Sequence, residues 1–213
     1  MKRTLTLLGT TALVCALAAC SNSSSPAPQQ AASATGSASA SATPWTRSSP
    51  ADPNLPEVNA QGDIPDNQQY VAYTPPTRNF SVEVPEGWAR TTSPTSATFT
   101  DKLNSIRVDV SARPSAPTPA GARAEVAALG AKAGHFAAGP VKTVSRKAGS
   151  AVVAFYRADA PADQVTGKVV NDDVERYQFW ARGRLVTLTL SGPHGADNVD
   201  PWRIVTDSFR WTA

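Results

Sequence analysis

Residues 174–192 read VERYQFWARGRLVTLTLSG. In a β-strand, neighbouring side chains point to opposite faces, so a period of two marks a strand. Tyr177, Phe179 and Ala181 fall on one face, and Arg176, Gln178, Trp180 and Arg182 on the other. Gly183 interrupts the run and Arg184 begins its return, which makes the stretch a hairpin. The same alternation recurs on either side. FSVEVPEGW (80–88) aligns Phe80, Val82 and Val84, and Pro85, Gly87 and Trp88 end the strand. SATFTDKLNSIRVDVSARP (96–114) reads as a second hairpin turning at DKLN, with Ala97 and Phe99 in one arm and Ile106, Val108 and Val110 in the other. VKTVSRK and SAVVAFYRAD flank a turn at Ala148-Gly149.

Two helices interrupt these strands. Thr118 is a capping residue, Pro119 fits the first helical position, and Gly134 is a stop signal. Ala122, Val126, Leu129 and Ala133 share a face. Gly121 and Gly130 each weaken that helix by roughly 1 kcal/mol relative to alanine, so it must lean on a sheet. Near the end, Asp200 caps a second helix with Pro201 behind it, and Trp202, Val205 and Phe209 share its face. Strands, a helix, strands and a final helix give an α+β domain with a mostly antiparallel sheet. Residues 70–213 have the size of one domain.

The chain starts differently. Met1-Lys2-Arg3 is followed by about 15 apolar residues, where a membrane span needs roughly 20. A positive start, a short apolar core and small residues before a cut describe a secretory signal peptide. Leu17-Ala18-Ala19-Cys20 resembles the lipobox of bacterial lipoproteins. The resemblance implies cleavage after residue 19 and acyl chains on Cys20. Cys15 leaves with the signal peptide, so the mature chain has no thiol for a disulfide, a thiolate metal ligand or a cysteine nucleophile. One acyl chain gives only reversible membrane binding, whereas two or three give a stable anchor. The expected location is therefore the outer face of the cell membrane, with the membrane itself the first partner.

Residues 20–69 read as a linker. Of the 30 residues 21–50, 21 are Ser, Ala or Pro, and Trp45 is the one large apolar side chain. Such composition does not offset the entropy of ordering. A flexible chain of that length spans about 40 Å. Order is expected to begin near Gln69 or Tyr70.

Residues 70–213 carry 17 Lys/Arg against 13 Asp/Glu, mildly basic and spread along the sequence. That distribution lacks the clustered stripe of a nucleic-acid binder. Catalytic motifs are weak. His135 reads as a helix-end residue. Ser191, His194 and Asp197 are the three residue types of a hydrolase triad, but they sit among turn residues with no Gly-x-Ser-x-Gly elbow. Asp172, Asp173 and Glu175 offer paired carboxylates of glycosidase type. No cofactor or metal ligand set is expected. The stronger feature is the face Arg176, Gln178, Trp180, Arg182 and Arg184, since Trp and Arg are favoured at binding surfaces. The alternative places Trp180 under a helix, with the arginines reaching out at the rim.

FSVEVPEGW, the IRVDV strand, the Ala/Gly helix, the long meander and DPWRIVTDSFRW (200–211) together resemble the LpqN/LpqT family of actinobacterial lipoproteins. The resemblance implies a PsbP-like α-β-α sandwich, a mostly antiparallel sheet layered between helices. It also implies a cell-envelope lipoprotein that binds something, and the expected domain is a non-enzymatic monomer that binds an envelope lipid, glycolipid or protein. The rival expectations are a secreted hydrolase and a structural or host-contact module.

Overall fold

The computed structural model describes residues 62–162 and 166–212. The signal segment, Cys20 and the linker through residue 61 lie outside the described residues. The strands are β1 (Tyr70–Tyr73), β2 (Phe80–Pro85), β3 (Ala89–Ser93), β4 (Ser96–Asp101), β5 (Asn104–Ala112), β6 (Ala137–Arg146), β7 (Gly149–Asp159), β8 (Asn171–Ala181), β9 (Arg184–Pro193) and β10 (Arg210–Trp211). Helix α1 spans Pro119–Gly130 and α2 spans Val199–Ser208.

A seven-stranded sheet runs in the order β3-β4-β5-β9-β8-β7-β6, each neighbouring pair antiparallel. The hairpin at its centre has the expected register, with Ala181 opposite Arg184, Phe179 opposite Val186 and Tyr177 opposite Leu188. One face of this sheet packs on α2 and on a small sheet, β1-β2-β10. The core lies between those two layers. Phe179 of the large sheet stacks on Phe209 at 4.2 Å, and Phe209 stacks on Phe80 of β2 at 5.5 Å. All three rings are at most 1% exposed. On the opposite face, α1 packs on β6 and β7. The outer layer on the core side is thus a helix together with a three-stranded sheet, and the other outer layer is α1.

The polar strands escape the periodicity argument. β3, ARTTS, is exposed throughout and carries no apolar alternation; β1 and β10 are short. Helix α1 has the expected cap, the Thr118 side chain accepting from Gly121 N at 3.1 Å. It ends at Gly130 rather than Gly134. The Phe136 ring fills the space where a Gly130 Cβ would stand, at 2.5 Å, so the chain folds back there. Leu129, expected on the inner face, is exposed, and the buried residues are Ala122 and Val126. Helix α2 starts earlier than Asp200, with Asn198 at its cap position.

That asparagine also moves the domain boundary. Asn198 Oδ1 accepts from Ile64 N at 2.8 Å, and its Nδ2 donates to Gly62 O at 3.0 Å. Asn104 Nδ2 donates to the same carbonyl at 2.8 Å, and Ile64 is buried in the core. The packed chain therefore already includes residues 62–69, not only residues from 70 onward. No helix among the described residues is long and apolar enough to cross a membrane.

Candidate functional site

The face expected from the central hairpin divides in two. Gln178 is 1% exposed and its Nε2 donates to Glu125 Oε2 of α1. Trp180 is half-buried and its indole N–H donates to Arg113 O at 2.8 Å. Arg113 in turn pairs with Glu125 at 2.8 Å. Arg176 donates to Thr189 Oγ1 at 3.0 Å. Gln178 and Trp180 are thus held by α1 and its lead-in chain. Arg182 and Arg184 are exposed at the hairpin end and line a separate hollow with Asn79 and Trp211.

A cleft of about 340 Å³ opens at the other end of the hairpin. That volume is within the range of small-ligand pockets. Its walls come from the outer edge of the sheet and the first turn of α2: Pro140, Phe155, Asp173, Glu175, Val199 and Trp202. The local sequence builds it. Between Ala138 and Val141 the β6–β7 ladder shifts register, leaving an extra residue on the β6 side. Pro140 has no N–H to offer a ladder and suits such an edge bulge. Gly139 lets the bulge sit tight, since a Cβ there would meet Phe155 O at 2.7 Å. The Pro201 ring at the start of α2 is buried beside Trp202.

The cleft joins apolar and polar chemistry. Val199 is 67% exposed, an unusual state for valine. Trp202 is 7% exposed, yet its buried indole N–H has no partner. Burying such a donor unpaired costs about 1–3 kcal/mol. Asp173 accepts from His194 Nδ1 at 2.8 Å and pairs with Arg157 at 3.3 Å. Glu175 Oε2 accepts from the Tyr177 hydroxyl at 2.8 Å, and Arg146 donates to that same hydroxyl at 2.8 Å. Burial raises the Glu175 carboxyl above its usual range, with the Tyr177 hydrogen bond, Arg146 and Lys142 opposing it. Burial and the neighbouring Glu175 push Tyr177 up to about 12.

The three residues of the candidate triad do not meet. Ser191 Oγ bonds Ser105 Oγ at 2.8 Å on the face that α1 shares. His194 Nε2 faces Arg157 Nη1 at 3.2 Å. A guanidinium only donates, so Nε2 accepts, and the proton on Nδ1 is directed at Asp173. The backbone N–H of Asp197 donates to Asp63. The carboxylates separate as well, because Asp172 and Asp173 point to opposite faces of β8. His135, exposed beyond the end of α1, bonds Asp159 at 2.8 Å. Among the described residues, no group of three or more His, Cys, Asp or Glu stands ready for a metal ion.

Comparison with solved structures bears on the fold. The PsbP protein CyanoP of Synechocystis superposes with a TM-score of 0.50 at 15% identity, covering 71% of this chain and 98% of that one. The chain has a PsbP-like α+β fold. The Ran-binding protein Mog1p of Saccharomyces cerevisiae gives 0.46 at 11% identity, covering 68% of this chain and 96% of its own. LpqN of Mycobacterium tuberculosis, described as involved in cell envelope biogenesis, gives 0.43 at 12% identity, covering 70% and 93%. No protein-family model matches the sequence, and no curated protein matches it in sequence.

Proposed function

We propose that the chain is an LpqN/LpqT-type lipoprotein, held at the outer face of the cell membrane by acyl chains on Cys20. Its domain binds an envelope lipid, glycolipid or protein without transforming it. The cleft between β6–β8 and α2 is the binding site. The observation that carries this reading is a ligand-sized hollow whose wall sets Phe155, Pro140 and Val199 beside Asp173 and Glu175. Phe155, Val199 and Pro140 suit an apolar portion, and Asp173, Glu175 and Arg157 suit a polar head. A mixed wall of this kind fits an amphipathic molecule.

Native mass spectrometry of the protein extracted from its own envelope tests both halves of the proposal. The expected result is a mature chain beginning at acylated Cys20 that carries a noncovalent adduct of lipid mass. An unmodified Cys20 would remove the anchor, and a bare domain would remove the carrier role.

A further inference from the structure

A second site lies at the far end of the same hairpin. Three hollows form a chain from there toward β1 and β3. One of about 620 Å³ is lined by Arg78 and Arg90, and one of about 360 Å³ by Arg182 and Arg184. A narrower one of about 150 Å³ joins them, sharing Tyr73 with the first and both Asn79 and Arg184 with the second. Among the described residues, no carboxylate lines any of the three. Among the described residues, none of the four guanidinium groups is ion-paired. By contrast, Arg107, Arg113 and Arg146 each have an acidic partner.

Asn79 stands at the junction of these hollows. It is 9% exposed, and neither its amide nitrogen nor its oxygen has a partner. The backbone around it is firmly held: Thr212 N donates to Asn79 O at 3.1 Å, and the Thr212 hydroxyl donates to Arg78 O. The side chain is thus fixed, buried and unsatisfied. Two of the arginines sit in an unfavourable backbone conformation. Arg78 and Arg182 both have φ of +49°, the left-handed region where Asn or Gly is at ease. Arg182-Gly183 is a two-residue hairpin turn where Asn-Gly would be the comfortable pair.

We propose that this arginine-lined groove binds a hydroxylated phosphate ester. A guanidinium fork matches phosphate oxygens two at a time. Arg182 and Arg184, which share a hollow with Asn79, offer two unpaired forks, and these suit a group of roughly −2 charge with three terminal oxygens better than a single carboxylate. The Asn79 amide needs both a donor and an acceptor from its ligand. A phosphate oxygen accepts from Nδ2, and a nearby ligand hydroxyl donates to Oδ1. Such a group occurs on the polyol-phosphate head of an anionic lipid and on a soluble polyol phosphate.

The test uses the mature chain, residues 20–213 with Cys20→Ser, so that neither the signal segment nor an acyl chain contributes to membrane capture. It is titrated with glycerol 3-phosphate by calorimetry. It is also sedimented with vesicles of phosphatidylglycerol, using phosphatidylcholine vesicles as the control. Saturable glycerol 3-phosphate binding without vesicle capture assigns the site to a soluble ester. Phosphatidylglycerol capture competed by glycerol 3-phosphate assigns it to a lipid head. Either result supports the proposal. In both cases R182A/R184A weakens binding by about tenfold or more, and added salt weakens it further. Asn79→Leu abolishes binding while raising Tm by about 3 °C, because a buried unsatisfied amide is removed. Overturning results are no saturable response to either probe, or binding undiminished in R182A/R184A or in Asn79→Leu.

Discussion

Asp172 precedes Asp173 in sequence but lives in a different environment. It is buried on the α1 face of β8, while Asp173 faces the cleft. Burial pushes the Asp172 carboxyl up to about 6, the Ser191 hydrogen bond opposes the rise, and the Asp173 charge adds to it. A carboxyl whose folded pKa is raised holds more protons folded than unfolded between pH 4 and 6. Stability therefore falls as pH rises through that window. Asp172→Asn keeps a hydrogen-bonding side chain without the charge. Urea unfolding should show the variant about 1–2 kcal/mol more stable at pH 7.5 and no more stable at pH 3.5. An equal gain at both pH values would mean that the carboxyl is not titrating in that window.

The elements show what the sequence makes plain and what it hides. Strands β2, β4, β5, β7, β8 and β9 announce themselves because their alternate residues face one core. Phe80, Val82 and Val84 are an example, all buried on β2. Strand β3 pairs with β4 along its whole length, mostly through backbone hydrogen bonds, which leave no mark on side-chain pattern. The end of α1 depends on Phe136, six residues past Gly130, and no local signal predicts that contact. Asn198 hides in the same way, its amide committed to residues more than 90 positions away. The cleft is equally hidden: the alternation points to Trp180, whose N–H is satisfied, while Trp202 reads as a core residue of α2 rather than a cleft wall. Thr118→Ala should cost about 1 kcal/mol in denaturant unfolding, because the first turn of α1 loses its cap. Gly139→Ala should cost about 1–3 kcal/mol, because the new methyl group forces the β6 bulge off Phe155. It should also reshape the cleft, which comparison of free and ligand-bound crosspeaks by NMR would register.

At the scale of the whole molecule, the β8–β9 hairpin carries both sites. Asp173 and Arg182 lie near its two ends, about 30 Å apart along an extended strand. The cleft and the arginine groove are therefore independent, and a variant in one leaves the other intact. The described chain enters at Gly62, hydrogen-bonded to Asn198 beside the cleft. The α1 layer and the stacked rings of Phe80, Phe209 and Phe179 hold the two ends in fixed relation.

The most direct test of the binding cleft is Val199→Glu in the full chain. Val199 is exposed, and a carboxylate in the first turn of α2 is favoured by the helix dipole, so the fold is retained. The charge stands in the apolar wall of the cleft. Native mass spectrometry of both proteins from the same envelope extract gives the comparison. The account predicts a lipid-mass adduct on the unsubstituted chain and at least a tenfold lower adduct fraction on Val199→Glu. Equal adduct on both chains, or adduct on neither, would contradict it.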